Sequence, residues 1–187
     1  MAILVVDNLS PYTRYILYCM KTLGATYVYK KFYELTGRSS VQYEKVILSG
    51  RSKNRRDINV TNSKIIQHCY LSDIPVLGIC YGAEIMALTL GGSINRMHAP
   101  VQGMVTVSVS GLSDDSLLVP DKKSLYVYES HGYCIARIPE GFISVASSKF
   151  CKHEIFIHQK KRLIGVQFHP EKSDNDGLVL LSNFIKI

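Results

Sequence analysis

Val76-Leu77-Gly78-Ile79-Cys80-Tyr81-Gly82-Ala83-Glu84 is the stretch on which the reading of this chain turns. An apolar run enters Cys80, a glycine stands two residues to either side, and a helical pattern from Ala83 to Leu90 follows, stopping at Gly91-Gly92. The order of strand, tight turn and helix fits the nucleophile elbow G-x-nucleophile-x-G, with a thiol where many hydrolases place a hydroxyl. A turn this tight needs residues without a Cβ, for backbone strain and for close packing around the nucleophile. It sets the sulfur at a helix N-terminus, where the dipole and free N–H groups favour thiolate over thiol. It also aims the Tyr81 backbone N–H at an oxyanion forming on the attacked carbon. The competing reading is a buried cysteine at a strand end, because free cysteine is among the most buried residue types. Taken alone, the stretch leaves both open.

Upstream, Ala2 to Val6 is an apolar, β-branched run closed by Asp7 and Asn8, as in a strand buried on both faces. Pro11 stands where a first helical turn would begin, Tyr15, Cys19, Met20 and Leu23 keep helical spacing, and Gly24 marks a stop. Thr26 to Tyr29 and Lys45 to Leu48 read as strands, the second ending in Ser49-Gly50, and Ser63 to Tyr70 as a helix. This alternation predicts an α/β fold, an open, mostly parallel sheet with helices on both faces. Downstream the pattern changes to short strand-like runs: Val105 to Val109, Leu125 to Tyr128, Phe142 to Ala146, Glu154 to His158 and Leu163 to Gln167. Turns such as Pro139-Glu140-Gly141 separate them, so some strands are expected to be antiparallel, before a last helix from Leu178 to Ile185. No repeat, low-complexity tract or linker interrupts the chain, which predicts a single domain over 1–187.

The composition is that of a soluble globular protein, with 47% hydrophobic and 20% charged residues. No apolar run has the length of a membrane span, and the opening MAILVVDN is too short for a signal peptide. Five cysteines without a CxxC or zinc-like spacing argue for a reducing, cytoplasmic setting and against a disulfide framework or a metal site. A net charge of +7 invites a nucleic-acid partner. Against it, the basic residues are scattered apart from Arg51 to Arg56 and Lys160 to Arg162, and no helix carries a basic stripe interleaved with aromatics. The expectation is no nucleic acid and no membrane; the Arg51–Arg56 cluster is either a solvated loop or a docking face for a partner.

A second motif bears on the first. Leu163-Ile164-Gly165-Val166-Gln167-Phe168-His169-Pro170-Glu171 is another apolar strand, ending in a His and a Glu on either side of a proline. In an extended segment residues i and i+2 project to one side, which would bring His169 and Glu171 together. A thiol nucleophile needs an imidazole to take its proton, and that imidazole a carboxylate to fix its tautomer. By itself the pair also reads as a strand end with a solvated Glu. Two such motifs at the ends of apolar strands favour a catalytic triad.

Gly78-Ile79-Cys80-Tyr81-Gly82 and Gly165-Val166-Gln167-Phe168-His169-Pro170-Glu171 resemble the signature motifs of the class I, or triad, glutamine amidotransferases, a flavodoxin-like family, and the resemblance covers nearly the whole chain. The branch it most resembles is the glutaminase subunit of GMP synthetase, through Ile47-Leu48-Ser49-Gly50, Ser130-His131-Gly132, Pro139-Glu140-Gly141-Phe142 and Val145-Ala146-Ser147-Ser148. His169-Pro170-Glu171-Lys172-Ser173 is closer to the amidotransferase subunit of imidazole glycerol phosphate synthase; anthranilate and aminodeoxychorismate synthases are further alternatives. The resemblance implies Cys80 as nucleophile, His169 as acid/base, Glu171 as orienting carboxylate, and the backbone N–H groups of Tyr81 and Arg51 as oxyanion donors. It implies L-glutamine as substrate, with Gly50, Glu84, Ser130, His131, Gly132 and Tyr133 around it. No cofactor is expected in this chain, which has no phosphate-binding loop. Ammonia would pass to an ATP-pyrophosphatase-type synthetase in trans, with ATP and Mg²⁺ confined to that partner. Three residues depart from the family pattern: Arg51 where Gly-Gly-Pro usually continues, Glu84 where a substrate-touching Gln is usual, and Tyr133 where the GMP synthetase branch has Asp. They keep two other readings open, a regulatory subunit that retains only the fold and a hydrolase such as a γ-glutamyl peptidase.

Overall fold

Apolar residues on both faces of one strand require cover from both sides, and the architecture follows from that requirement. The computed structural model describes residues 2–36, 42–110 and 122–187. In chain order these form β1 (Ile3–Asn8), α1 (Thr13–Thr22), β2 (Tyr27–Lys31), β3 (Lys45–Arg51), α2 (Arg56–Ser72), β4 (Val76–Ile79) and α3 (Tyr81–Thr89). There follow β5 (Ser93–Val109), β6 (Ser124–Arg137), β7 (Phe142–Ser147), β8 (Ile155–His158), β9 (Leu163–Val166) and α4 (Asp174–Lys186). One nine-stranded sheet has the order β2-β1-β3-β4-β9-β8-β7-β5-β6. Pairings from β2 to β9 are parallel and those from β9 to β6 antiparallel.

Alternate residues feed two cores. Ile3, Val5, Ile47, Leu77 and Ile79 pack with Ile16 and Met20 of α1 and Leu180, Leu181 and Phe184 of α4. Leu4, Val6, Val46, Leu48 and Val76 pack on the other face with Ile58, Ile65 and Ile66 of α2 and Ile85 and Met86 of α3. The result is a three-layer α/β domain, and no helix among the described residues is long and apolar enough to cross a membrane.

Several elements are longer than the sequence pattern predicts. α2 starts at Arg56 rather than Ser63, because its inward position Asn62 is polar: Asn62 Nδ2 donates to Asn8 Oδ1 (2.6 Å) and to Ile58 O (2.8 Å). α1, by contrast, is shorter than the pattern predicts, beginning two residues after Pro11, at Thr13. β5 and β6 form a long hairpin with a register break between Arg96 and Val101, of which the sequence signals only Val105–Val109 and Leu125–Tyr128.

Parallel strands gather their carboxyl ends at one edge, where α/β folds place their sites. That edge carries Asn8 to Ser10 after β1, Gly50 and Arg51 closing β3, Cys80 after β4 and His169 just beyond β9. Asp7 shapes the first of these loops. Its Oδ1 accepts from Leu9 N (2.9 Å), Ser10 N (3.2 Å) and Thr13 Oγ1 (2.7 Å), holding Leu9 at φ 63.

The elbow glycines are set by contact. A Cβ on Gly82 would lie 2.4 Å from the Leu48 carbonyl oxygen, and one on Gly78 would lie 2.5 Å from the Gly82 carbonyl oxygen. Gly82→Ala should therefore destabilise the fold by at least about 1–3 kcal/mol, read as a lower urea midpoint, since overpacking against backbone cannot relax through a rotamer change. An unchanged midpoint would contradict this packing.

Candidate active site

Cys80 caps α3 with φ 51 and ψ −106, a conformation that L residues rarely adopt. Its N–H donates to Val166 O (2.8 Å), tying the elbow to β9, and its thiol points toward Ser130 O at 3.9 Å. His169 is fixed by the next layer of contacts. Its N–H donates to Tyr128 O (2.8 Å), and Ser173 Oγ donates to His169 O (2.6 Å) while accepting from Tyr128 N (2.9 Å).

His169 Nδ1 lies 2.8 Å from Glu171 Oε1, so the sequence pair does meet. It meets by another route than an extended strand: Pro170–Lys172 is a single 3-10 turn that folds Glu171 back on the ring. With Nδ1 facing the carboxylate, Nε2 is the nitrogen left for chemistry. Gly50 is a neighbour common to the His169 ring and the Cys80 side chain. A Cβ built there would sit 3.1 Å from His169 Cε1 and 3.8 Å from Cys80 Cβ, so those two atoms are no farther apart than the sum of these contacts. Neither Gly50 nor Arg51 has a positive φ, so an arginine fits after Gly50 without backbone strain.

Cys80 also lines a cavity of about 250 Å³. Cys80, Tyr81 and Glu84 form one wall, Ser130 to Tyr133 the opposite wall, and 51–54 the rim. It has the scale of an amino acid rather than of a nucleotide. His169 and Gly50 are not part of this lining. Arg51 is turned inward: its guanidinium lies 4.0 Å from the centre of the Tyr81 ring and donates to Asn54 Oδ1 (2.9 Å) and Asn59 Oδ1 (2.7 Å). Tyr133 is 42% exposed at the mouth, and its carbonyl receives His131 Nδ1 at 2.6 Å.

The electrostatics correct one expectation. Burial, followed by the Glu84, Glu171 and Glu129 carboxylates, pushes the Cys80 thiol well above its ordinary value; the Tyr81 backbone N–H is the group pulling it down. The helix N-terminus acts in the expected direction through the Tyr81 N–H, but burial and the carboxylates outweigh it. His131 is shifted upward. Burial alone would lower it, but Glu129, the Tyr133 carbonyl and Glu84 outweigh that. Its Nε2 is 2.8 Å from Glu129 Oε2, an ion-pair contact rather than an aligned hydrogen bond. Behind it, burial and Glu129 drive Glu154 up to about 9.

Sequence reasoning missed several of these residues. Tyr12 stands edge-on to His169, ring centres 4.8 Å apart, with its hydroxyl 3.3 Å from Ser130 Oγ. Gln167 lies within the quoted motif, yet nothing there announces that its amide reaches Glu84 (3.4 Å). Glu129 and Glu154 carry no motif at all. Tyr12 had one indirect signal, its place just past the end of a parallel strand.

The fold is a three-layer α/β domain that brings a strained cysteine elbow and a His–Glu pair to one edge of its sheet. The profile of the glutamine amidotransferase class-I family matches residues 4–187, and the chain belongs to that family. It is 31% identical over 193 residues to the glutamine-hydrolyzing GMP synthase of Salmonella typhimurium, and equally to that of Escherichia coli K12. Each match takes in 98% of this chain and 36% of the relative, so the chain spans about a third of the length of these proteins. Among solved structures, a GMP synthase component from Thermoplasma acidophilum superposes with a TM-score of 0.87 at 26% identity, covering 100% of this chain and 92% of that one. A Thermotoga maritima glutamine amidotransferase shares the fold, with a TM-score of 0.78 at 18% identity over 98% of this chain and 90% of its own.

A thiol held protonated by its surroundings should alkylate slowly at neutral pH. Cys80-specific labelling by iodoacetamide, measured against Cys80→Ala, is expected to rise about tenfold per pH unit between pH 7 and pH 9. A plateau already reached below pH 7 would contradict the assignment.

Proposed function

We propose that this chain hydrolyses L-glutamine through Cys80, His169 and Glu171 and delivers the ammonia to a separate ATP-pyrophosphatase-type synthetase that converts XMP to GMP. The observation that carries the reading is the convergence of Cys80 and His169 over Gly50, with Glu171 2.8 Å from the far ring nitrogen.

Glutamine enters the cavity with its side-chain amide toward Cys80. As sulfur attacks the amide carbon, the thiol proton passes to His169 Nε2, and Glu171 stabilises the imidazolium through Nδ1. The oxyanion is met by the Tyr81 and Arg51 backbone N–H groups, each worth on the order of 3 kcal/mol of barrier. His169 returns the proton to the departing nitrogen, the C–N bond breaks, and ammonia leaves a γ-glutamyl thioester. Water, deprotonated by the same nitrogen, attacks the thioester carbon; glutamate departs and the sulfur regains its proton. The Ser130–Tyr133 segment supports the α-amino and α-carboxylate groups of the substrate.

The raised Cys80 thiol suits this sequence, because proton and sulfur then move only when an electrophile and its oxyanion donors are in place. The GMP product is supported by the names of the relatives, and we assign the synthetase step to the part of those proteins beyond the matched region. Lys53, on the rim of the cavity, belongs to the face offered to that partner.

The test is steady-state glutamine hydrolysis with and without an XMP-aminating synthetase. Cys80→Ala should lose at least about 10³-fold in turnover, and Glu171→Gln should lower kcat with little change in KM. Adding the synthetase, XMP and ATP should stimulate the wild type. Wild-type turnover by Cys80→Ala would refute the mechanism; stimulation by a different synthetase would refute the product.

A further inference from the structure

The cavity contains one buried acid for which the hydrolysis just described has no use. Glu84, 5% exposed, leaves the first turn of α3 and lines the pocket beside Cys80. Among the described residues its carboxyl has one hydrogen bond, from Gln167 Nε2 at 3.4 Å, and no ion-pair partner. The cations around it are committed elsewhere. Arg51 of β3 is spent on Tyr81, Asn54 and Asn59. His131 of β6 faces Glu129 and the Tyr133 carbonyl, and His169, beyond β9, faces Glu171. The remaining titratable groups it senses are Cys80 and Tyr81 of its own helix and Cys134 of β6, none of which supplies positive charge.

An ionised carboxylate buried with a single amide partner is less stable than one that keeps its proton. Burial accordingly raises Glu84, and the Gln167 amide, Arg51, His131 and His169 oppose it only in part.

We propose that Glu84 serves the pocket as a neutral carboxylic acid, held on one oxygen by Gln167 and donating a hydrogen bond from the other to an acceptor oxygen of the bound amino acid. The inference rests on the reading of this cavity as the glutamine site and states how that site works in this chain. A protonated carboxyl is planar with one donor and one acceptor face, so it matches a primary amide in what it offers a carbonyl or carboxylate. The ionised form offers no donor and repels the substrate carboxylate. Substrate affinity is therefore tied to one proton on Glu84, and it falls on the alkaline side. A neutral Glu84 also removes one negative charge from beside the Cys80 thiol.

Two measurements test this. In the free protein, carbon NMR of ¹³C-labelled glutamate carboxyls, with Glu84 assigned by comparison with Glu84→Gln, should show that group still protonated at pH 7. Ionisation complete by pH 6 overturns the proposal without reference to any substrate. In a Cys80→Ala background, which removes turnover and the thiol titration, glutamine binding is followed by calorimetry from pH 6 to pH 10 with and without Glu84→Gln. The ratio of the two dissociation constants should be flat at low pH and then rise about tenfold per pH unit as Glu84 ionises. A ratio constant over the whole range overturns the proposal while leaving the glutamine reading in place. No glutamine binding by either protein at any pH overturns the glutamine reading itself, and the donor role with it.

Discussion

The carbonyl of Leu48 occupies the space that a side chain on Gly82 would need, and the Gly82 carbonyl does the same to Gly78. This backbone-on-backbone contact between β3 and the start of α3 leaves the chain one way through the turn, and Cys80 takes the strained conformation at its centre. Strain of this kind costs about 1–3 kcal/mol and persists only where surrounding packing over-determines it. Here Cys80 N–H is bonded to Val166 O, and the strands on both sides are buried on both faces. The same contact brings the sulfur to the edge where β3 ends in Gly50 and where His169 follows β9, so fold and site share one constraint.

Charge sets the second condition. Burial, with the Glu84, Glu171 and Glu129 carboxyls close by, raises the Cys80 thiol well above its ordinary value. In the proposed mechanism, a thiol raised in this way gives up its proton to the His169–Glu171 couple only as substrate is attacked. The buried acids behind the pocket, Glu129 and Glu154, are balanced by His131 and by a proton retained on Glu154. The pocket wall is thus a proton-bearing network rather than a row of fixed charges.

Much of this was legible in the sequence because the decisive features are local. Gly78 to Gly82 carry the glycine spacing of an elbow within five residues, and His169 and Glu171 lie close enough in the chain to meet through one turn. The parallel half of the sheet was readable from strand–helix alternation, as was its burial. The antiparallel half was less so: β5 exposes much of its length, so no period of two marks residues such as Arg96 to Pro100. The first half of α2 was hidden because Asn62 fills an inward position by hydrogen bonding to Asn8. Tyr12, Glu129 and Glu154 were invisible for a different reason. Their roles come from the way separate strands and loops are brought together in the fold, and no motif within the chain records a contact of that kind.

The most direct test of the account is mass spectrometry of enzyme quenched in acid during turnover of isotopically labelled glutamine. The account predicts a labelled γ-glutamyl group on the peptide containing Cys80 and on no other cysteine, lost when the reaction is allowed to run to completion before quenching. Glutamine hydrolysed without any such adduct, or with the label on Cys19, Cys69, Cys134 or Cys151, would contradict it.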